Sequence, residues 1–183
     1  MALITYNPVA TFIHTPKCGG NSFKVWLLQN NIPHHDTKGS QHATIERVKE
    51  KYDGDLGITW SIVRNPWDYL VSWYTFKVML AKDAIKHLEN APHLHREVVN
   101  NRKDEKWNID IQRHNLEVLE KGFENWLFKN NRKPQSHWSN ACDVVLRLEN
   151  INEEFKWVQD MYNCYQPLQK ENKSKDRKDY RSY

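Results

Sequence analysis

Glycine is scarce in this chain, six residues in 183, and cysteine is scarcer, with three. So few glycines exclude a Gly-rich linker or a collagen-like repeat, and they make each glycine's position informative. The cysteines, Cys18, Cys142 and Cys164, are odd in number, widely spaced and form no CxxC pair. That argues against a disulfide framework and fits free thiols in a reducing compartment. No apolar run approaches the ~18 residues of a membrane-spanning helix. The start, Met1-Ala-Leu-Ile-Thr-Tyr-Asn, carries neither a basic leader nor a long apolar stretch. Neither a membrane span nor a signal peptide is therefore expected. Internal repeats and low-complexity segments are also lacking, so a single domain over residues 1–183 is the expectation.

What the chain does have is aromatic residues: 8 Trp, 8 Tyr and 6 Phe, in a sequence whose mean hydropathy is only -0.87. A disordered chain does not carry such a load, so a folded domain with a wet surface follows. Net charge is +4 and the pI is near 8.9, a weak bias toward anionic ligands. The basic residues are not gathered into a stripe, so no nucleic-acid partner is indicated.

Along the chain, apolar runs alternate with helical patterns. Val9-Ala10-Thr11-Phe12-Ile13, Ile58 to Val63 and Asp143 to Leu148 read as strands. Helices are expected from Asn21 or Ser22 to Asn30, over 42–52, from Pro66 towards Leu80, over 116–129 and over 150–162. Asn65 caps the turn after the second of these strands and Pro66 takes the first helical position. Residues 31–40 read as a polar loop, and 82–115 as a polar, substrate-facing insertion. Strands alternating with helices predict an α/β fold with a central parallel sheet flanked by helices. Ligands bind such sheets at the carboxyl ends of strands, which directs attention to residues 15–20 and 64–66.

Thr15-Pro16-Lys17-Cys18-Gly19-Gly20-Asn21-Ser22 joins a strand to a helix. Two glycines let the backbone approach an oxyanion, and the N–H groups of the helix start point toward it. Lys17 adds a positive charge and Ser22 a hydroxyl. A Walker A loop needs GxxxxGK[ST], whereas here the Lys precedes the glycine pair, which disfavours a magnesium-dependent NTPase. Ile62-Val63-Arg64-Asn65-Pro66-Trp67-Asp68-Tyr69-Leu70-Val71-Ser72 places Arg64 at a strand end, with its fork of donors suited to a second phosphate. Ser72 follows two turns into the helix.

These two segments resemble the nucleotide motifs of sulfotransferases that use 3′-phosphoadenosine 5′-phosphosulfate (PAPS), and most closely the carbohydrate-type branch. That branch usually reads Pro-Lys-Thr-Gly-Gly-Thr-Ser and Arg-Asn-Pro-x-Asp-Arg-Leu-Val-Ser-x-Tyr. The likeness continues through Gln41-His42-Ala43-Thr44, Gly122 to Leu127, Val145 to Asn150, and Asn172-Lys173-Ser174 with Tyr180 to Tyr183. The resemblance implies a P-loop-like three-layer fold. It implies that Lys17 and the backbone of Cys18, Gly19, Gly20, Asn21 and Ser22 hold the 5′-phosphosulfate. Arg64 and Ser72 would hold the 3′-phosphate, and no metal is implied. Three positions depart from the pattern: Cys18 and Asn21 each replace a Thr, and Tyr69 stands where Arg is usual. Cys18 would act mainly through its N–H, and Asn21 keeps an amide donor. The implied acceptor is a hydroxyl on a glycan. A branch member with neither anchor nor leader is expected in the cytoplasm, of the bacterial or viral type.

Sulfuryl transfer asks for in-line positioning and for stabilisation of charge on the departing phosphate. Lys17 is the candidate for that charge. His42 is the candidate general base, since imidazole titrates near operating pH. Glu46, one turn further, is placed to orient it or to face water. Glu149 is expected to pair with Arg147 or to cap a helix. His93-Leu94-His95 lacks further ligands at metal-binding spacing. The charged tail from Lys170 to Arg181 is expected to close over the nucleotide. A P-loop-like nucleotide kinase and a nucleotide-binding module without catalysis remain the alternatives.

Overall fold

The computed structural model describes residues 2–37, 42–90, 109–129, 132–169 and 181. Their order is β1 (Ala2–Tyr6), β2 (Val9–Ile13), α1 (Gly20–Gln29), β3 (His34–Asp36), α2 (Ile45–Lys49), β4 (Ile58–Val63) and α3 (Pro66–Asn90). Then come α4 (Ile109–Glu120), α5 (Phe123–Lys129), α6 (Ser136–Ser139), β5 (Val144–Arg147), a 3₁₀ turn (Leu148–Asn150), α7 (Ile151–Glu154) and α8 (Lys156–Tyr162). The class is α/β, as expected.

The sheet itself departs from the expected parallel arrangement. Its order is β3-β1-β2-β4-β5. β2, β4 and β5 are parallel, but β1 is antiparallel to both β2 and β3, so the sheet is mixed. The reason is local. Only Asn7 and Pro8 separate β1 from β2, and a two-residue turn can join antiparallel strands only. β3 falls inside the predicted polar loop. It has no apolar alternation and is held by backbone pairing with β1 and by the Lys24–Asp36 ion pair at 2.9 Å.

Packing divides the chain into two compact units, Met1–Tyr69 with Lys133–Lys173, and Leu70–Arg132 with Ser174–Tyr183. In the first, alternate strand residues feed two layers. Phe12 packs with Phe23 and Trp60 at centroid separations of 4.8 and 4.7 Å, and Trp26 stands edge-on to Phe155 at 5.1 Å. That is the α1/α8 side. On the opposite face Ala2, Ile4 and Ile13 pack with Ala43, Ile45 and Val48, flanked by Tyr52 and Trp138. In the second unit, Val71, Ala81, Leu119, Phe123 and Trp126 form the core, and Tyr74 donates its hydroxyl hydrogen to the Leu119 carbonyl at 2.8 Å.

Several helix boundaries differ from expectation. α1 begins at Gly20, with Gly19 as N-cap in the left-handed region (φ 86) and no side-chain cap, so neither Asn21 nor Ser22 caps it. α2 is shorter than predicted and starts after Thr44. α3 runs on to Asn90 because Val71, Ala81 and Leu88 keep one stripe buried at helical spacing. The segment 116–129 is two helices, parted at Gly122 (φ 104). The expected helix over 150–162 is α7 followed by α8. The start of α3 is as expected: the Asn65 side-chain oxygen accepts the Trp67 and Asp68 N–H groups at 3.0 and 3.4 Å.

Candidate active site

The carboxyl ends of the parallel strands β2 and β4 are fastened to each other. Thr15 Oγ1 and Ser61 Oγ lie 2.8 Å apart, and Ser61 Oγ also donates to the Ile13 carbonyl at 2.8 Å. From this base the chain after β2 turns through Lys17, which itself holds a left-handed backbone (φ 60), and Gly19 into α1. No side chain caps α1 at Gly19, and the first turn of a helix points its N–H groups out of the helix end.

Gln135 locks this loop to the end of β4. Its side-chain oxygen accepts the Arg64 N–H at 2.7 Å and the Cys18 thiol hydrogen at 3.1 Å. Its amide nitrogen donates to the Arg64 carbonyl at 2.6 Å. Arg64 in turn reaches the loop, donating from Nη1 to the Lys17 carbonyl at 3.4 Å, while Nη2 stands 3.5 Å from Asp68. Arg64 Nε is buried without a hydrogen-bond partner among the described residues. Glu149 accepts the Asn65 N–H at 2.7 Å, whereas Arg147 pairs with Glu154 at 2.6 Å. The expected Arg147–Glu149 pair is thus replaced. Glu149 is one short turn from β5 and reaches the Asn65 backbone, while Glu154 comes round to Arg147 on α7.

Charge follows this geometry. Burial lowers the Lys17 ammonium pKa below its ordinary value, and the neighbouring Arg64 charge lowers it further. Burial raises the Cys18 thiol, so the side chain is a neutral donor rather than a nucleophile. Two cations, Lys17 and Arg64, thus stand close together at the strand-end loop, with Asp68 beside Arg64.

His42 borders the loop. Its Nδ1 lies 3.0 Å from the His14 carbonyl, which can only accept, so Nδ1 carries the hydrogen and Nε2 is the basic nitrogen. Trp138 Nε1 donates to the His42 carbonyl at 3.0 Å. Burial lowers the His42 pKa against the opposing effect of the His14 bond, and the Lys17 charge adds to the lowering. Glu46 does not orient His42. It is exposed and takes a hydrogen bond from Thr44.

The structure therefore gathers Lys17, Cys18, Gly19, Gly20 and Arg64, and brings His42 within the electrostatic reach of Lys17. Ser22 is buried in the first turn of α1 and Asn21 is exposed there. Ser72 is buried on α3, in the second unit. Tyr69 is buried, with its hydroxyl 3.5 Å from the Lys133 carbonyl. Two contributors, Gln135 and His14, carry no motif signal. Pro134-Gln135-Ser136 looks like any turn, and His14 looks like the last residue of a strand.

His93, His95 and Lys170 lie outside the described residues. Among the described residues no group of three or more His, Cys, Asp and Glu is arranged for a metal, and no helix is long and apolar enough to cross a membrane. No family model, curated protein or solved structure matches this chain.

Proposed function

We propose that this chain transfers a sulfuryl group from PAPS to a hydroxyl of a carbohydrate acceptor, within a P-loop-like three-layer fold. The observation that carries the reading is the pairing of Lys17 and Arg64. Gln135 ties the Arg64 backbone to the Cys18 side chain, next to Lys17, and Arg64 Nη1 donates to the Lys17 carbonyl, at the carboxyl ends of β2 and β4 beside the start of α1. The fit is chemical as well as geometric. Arg64 Nε is buried with no hydrogen-bond partner among the described residues, which suits an acceptor atom of a ligand.

PAPS supplies an activated sulfuryl group on a phosphate leaving group. Lys17 and the N–H groups of residues 18–22 bind the 5′ end, and Arg64 binds the 3′-phosphate. His42 Nε2 accepts the acceptor's hydroxyl proton as its oxygen bonds to sulfur and the bond from sulfur to the leaving phosphate oxygen breaks. Lys17 stabilises the charge that builds on that oxygen.

The test is transfer of radiolabelled sulfate from PAPS to a panel of neutral and acidic oligosaccharides. Label is expected on at least one glycan and is expected to disappear with Lys17→Ala. Label on none of the glycans, with donor intact, contradicts the proposal.

A further inference from the structure

The second unit holds a cavity of about 690 Å³, within the size range of small-molecule sites. Its wall is largely apolar, with Leu80, Ala81, Val118, Leu119 and Trp126 contributed by α3, α4 and α5. Two cations, Lys77 and Arg132, stand in the same lining.

Neither cation meets an anion at ion-pair distance among the described residues. Lys77 has no hydrogen bond or ion pair to any described residue. Arg132 lays its guanidinium on the Trp73 ring, 4.6 Å from the centroid, and its Nε is buried without a hydrogen-bond partner among the described residues. Burial lowers the Lys77 pKa and the nearby Arg132 charge lowers it further, so the two charges feel one another. Like charges held together and half-buried in an apolar wall cost stability unless an anion joins them. Asp83, the one carboxylate among the described lining residues, is exposed. Stacking on Trp73 fixes the guanidinium plane and leaves its edge for a planar or tetrahedral oxyanion.

We propose that this cavity binds an amphiphilic anion, with its apolar body against Leu80, Val118, Leu119 and Trp126 and its head group on Lys77 and Arg132. The proposal goes beyond sulfuryl transfer and does not rest on it.

Calorimetric titration of the full chain with octanoate, octylammonium and acetate tests it. Octanoate is expected to bind at one site per chain. Octylammonium, which has the same tail and the opposite charge, and acetate, which has the head group alone, are expected to give no saturable heat. Lys77→Met and Arg132→Gln should each weaken octanoate by about tenfold or more, the scale of a lost charged hydrogen bond. Asp83→Asn should tighten it. Octylammonium binding as well as octanoate overturns the proposal on unmodified protein, with no variant needed. Absence of octanoate binding overturns it too, as does octanoate affinity unchanged in both cation variants.

Discussion

The imidazole of His14 fills the space in which a side chain at position 20 would stand. A Cβ on Gly20 would lie 2.0 Å from His14 Cδ2 and 2.2 Å from Nε2. The same residue offers its carbonyl to His42 Nδ1 at 3.0 Å. His14 therefore touches both the start of α1 and the candidate base, and Gly20 is required there for close approach, with no need of an unusual φ.

Gly20→Ala forces the ring or the helix start to move. The expected cost is about 1–3 kcal/mol, typical of overpacking. In a His14→Ala background the same substitution should cost much less. Urea unfolding of the four proteins measures the coupling, and strictly additive costs would refute the contact.

His14 is held neutral, its pKa lowered to about 3 by burial first, then by the His42 and Lys17 charges. An unfolded histidine titrates near ~6.5, so below that pH the unfolded chain binds the extra proton. Stability is then lost as pH falls from ~6.5 toward 3, by up to about tenfold in the folding constant per pH unit. Unfolding curves at pH 7, 5 and 4 should show this, with a shallower dependence in His14→Gln. An identical pH dependence in the two proteins would show that His14 is not the group responsible.

His42→Asn should leave adenosine 3′,5′-bisphosphate affinity within about twofold while lowering kcat by about 10²–10⁴, the range for a lost general base. Because the His42 pKa is depressed, the acidic limb of the wild-type kcat/KM profile should fall below the ordinary histidine range. A bisphosphate affinity that collapses along with kcat would make His42 a structural residue instead.

Gln135→Leu removes three hydrogen bonds at once and strands the Arg64 N–H and C=O groups. A loss of about 1–3 kcal/mol in stability is expected. Weaker bisphosphate binding should accompany it, although Gln135 is assigned no contact with the ligand. Unchanged affinity would mean that the loop keeps its shape without this clamp.

The sequence was most legible where local rules decide. Asn65 and Pro66 start α3 as capping chemistry dictates, and the strand-end positions of Lys17, Cys18 and Arg64 follow from the order of strand, loop and helix around them. The misses have physical causes. β3 is polar and exists only through pairing with β1. β1 is a five-residue stretch with no clean alternation of apolar and polar residues, and its antiparallel sense comes from the two residues that join it to β2. Gln135 and His14 act through tertiary contacts with residues far along the chain or across a bare Cα. Neither leaves a periodic or spacing signature.

The central claim is a cleft that recognises a 3′-phosphate beside a 5′-phosphate. Calorimetry with adenosine 3′,5′-bisphosphate, AMP and ATP, each without magnesium, addresses it most directly. The expected result is bisphosphate binding about tenfold or more tighter than AMP, with the difference erased by Arg64→Ala. Equal affinity for bisphosphate and AMP, or preference for ATP once magnesium is added, would contradict it.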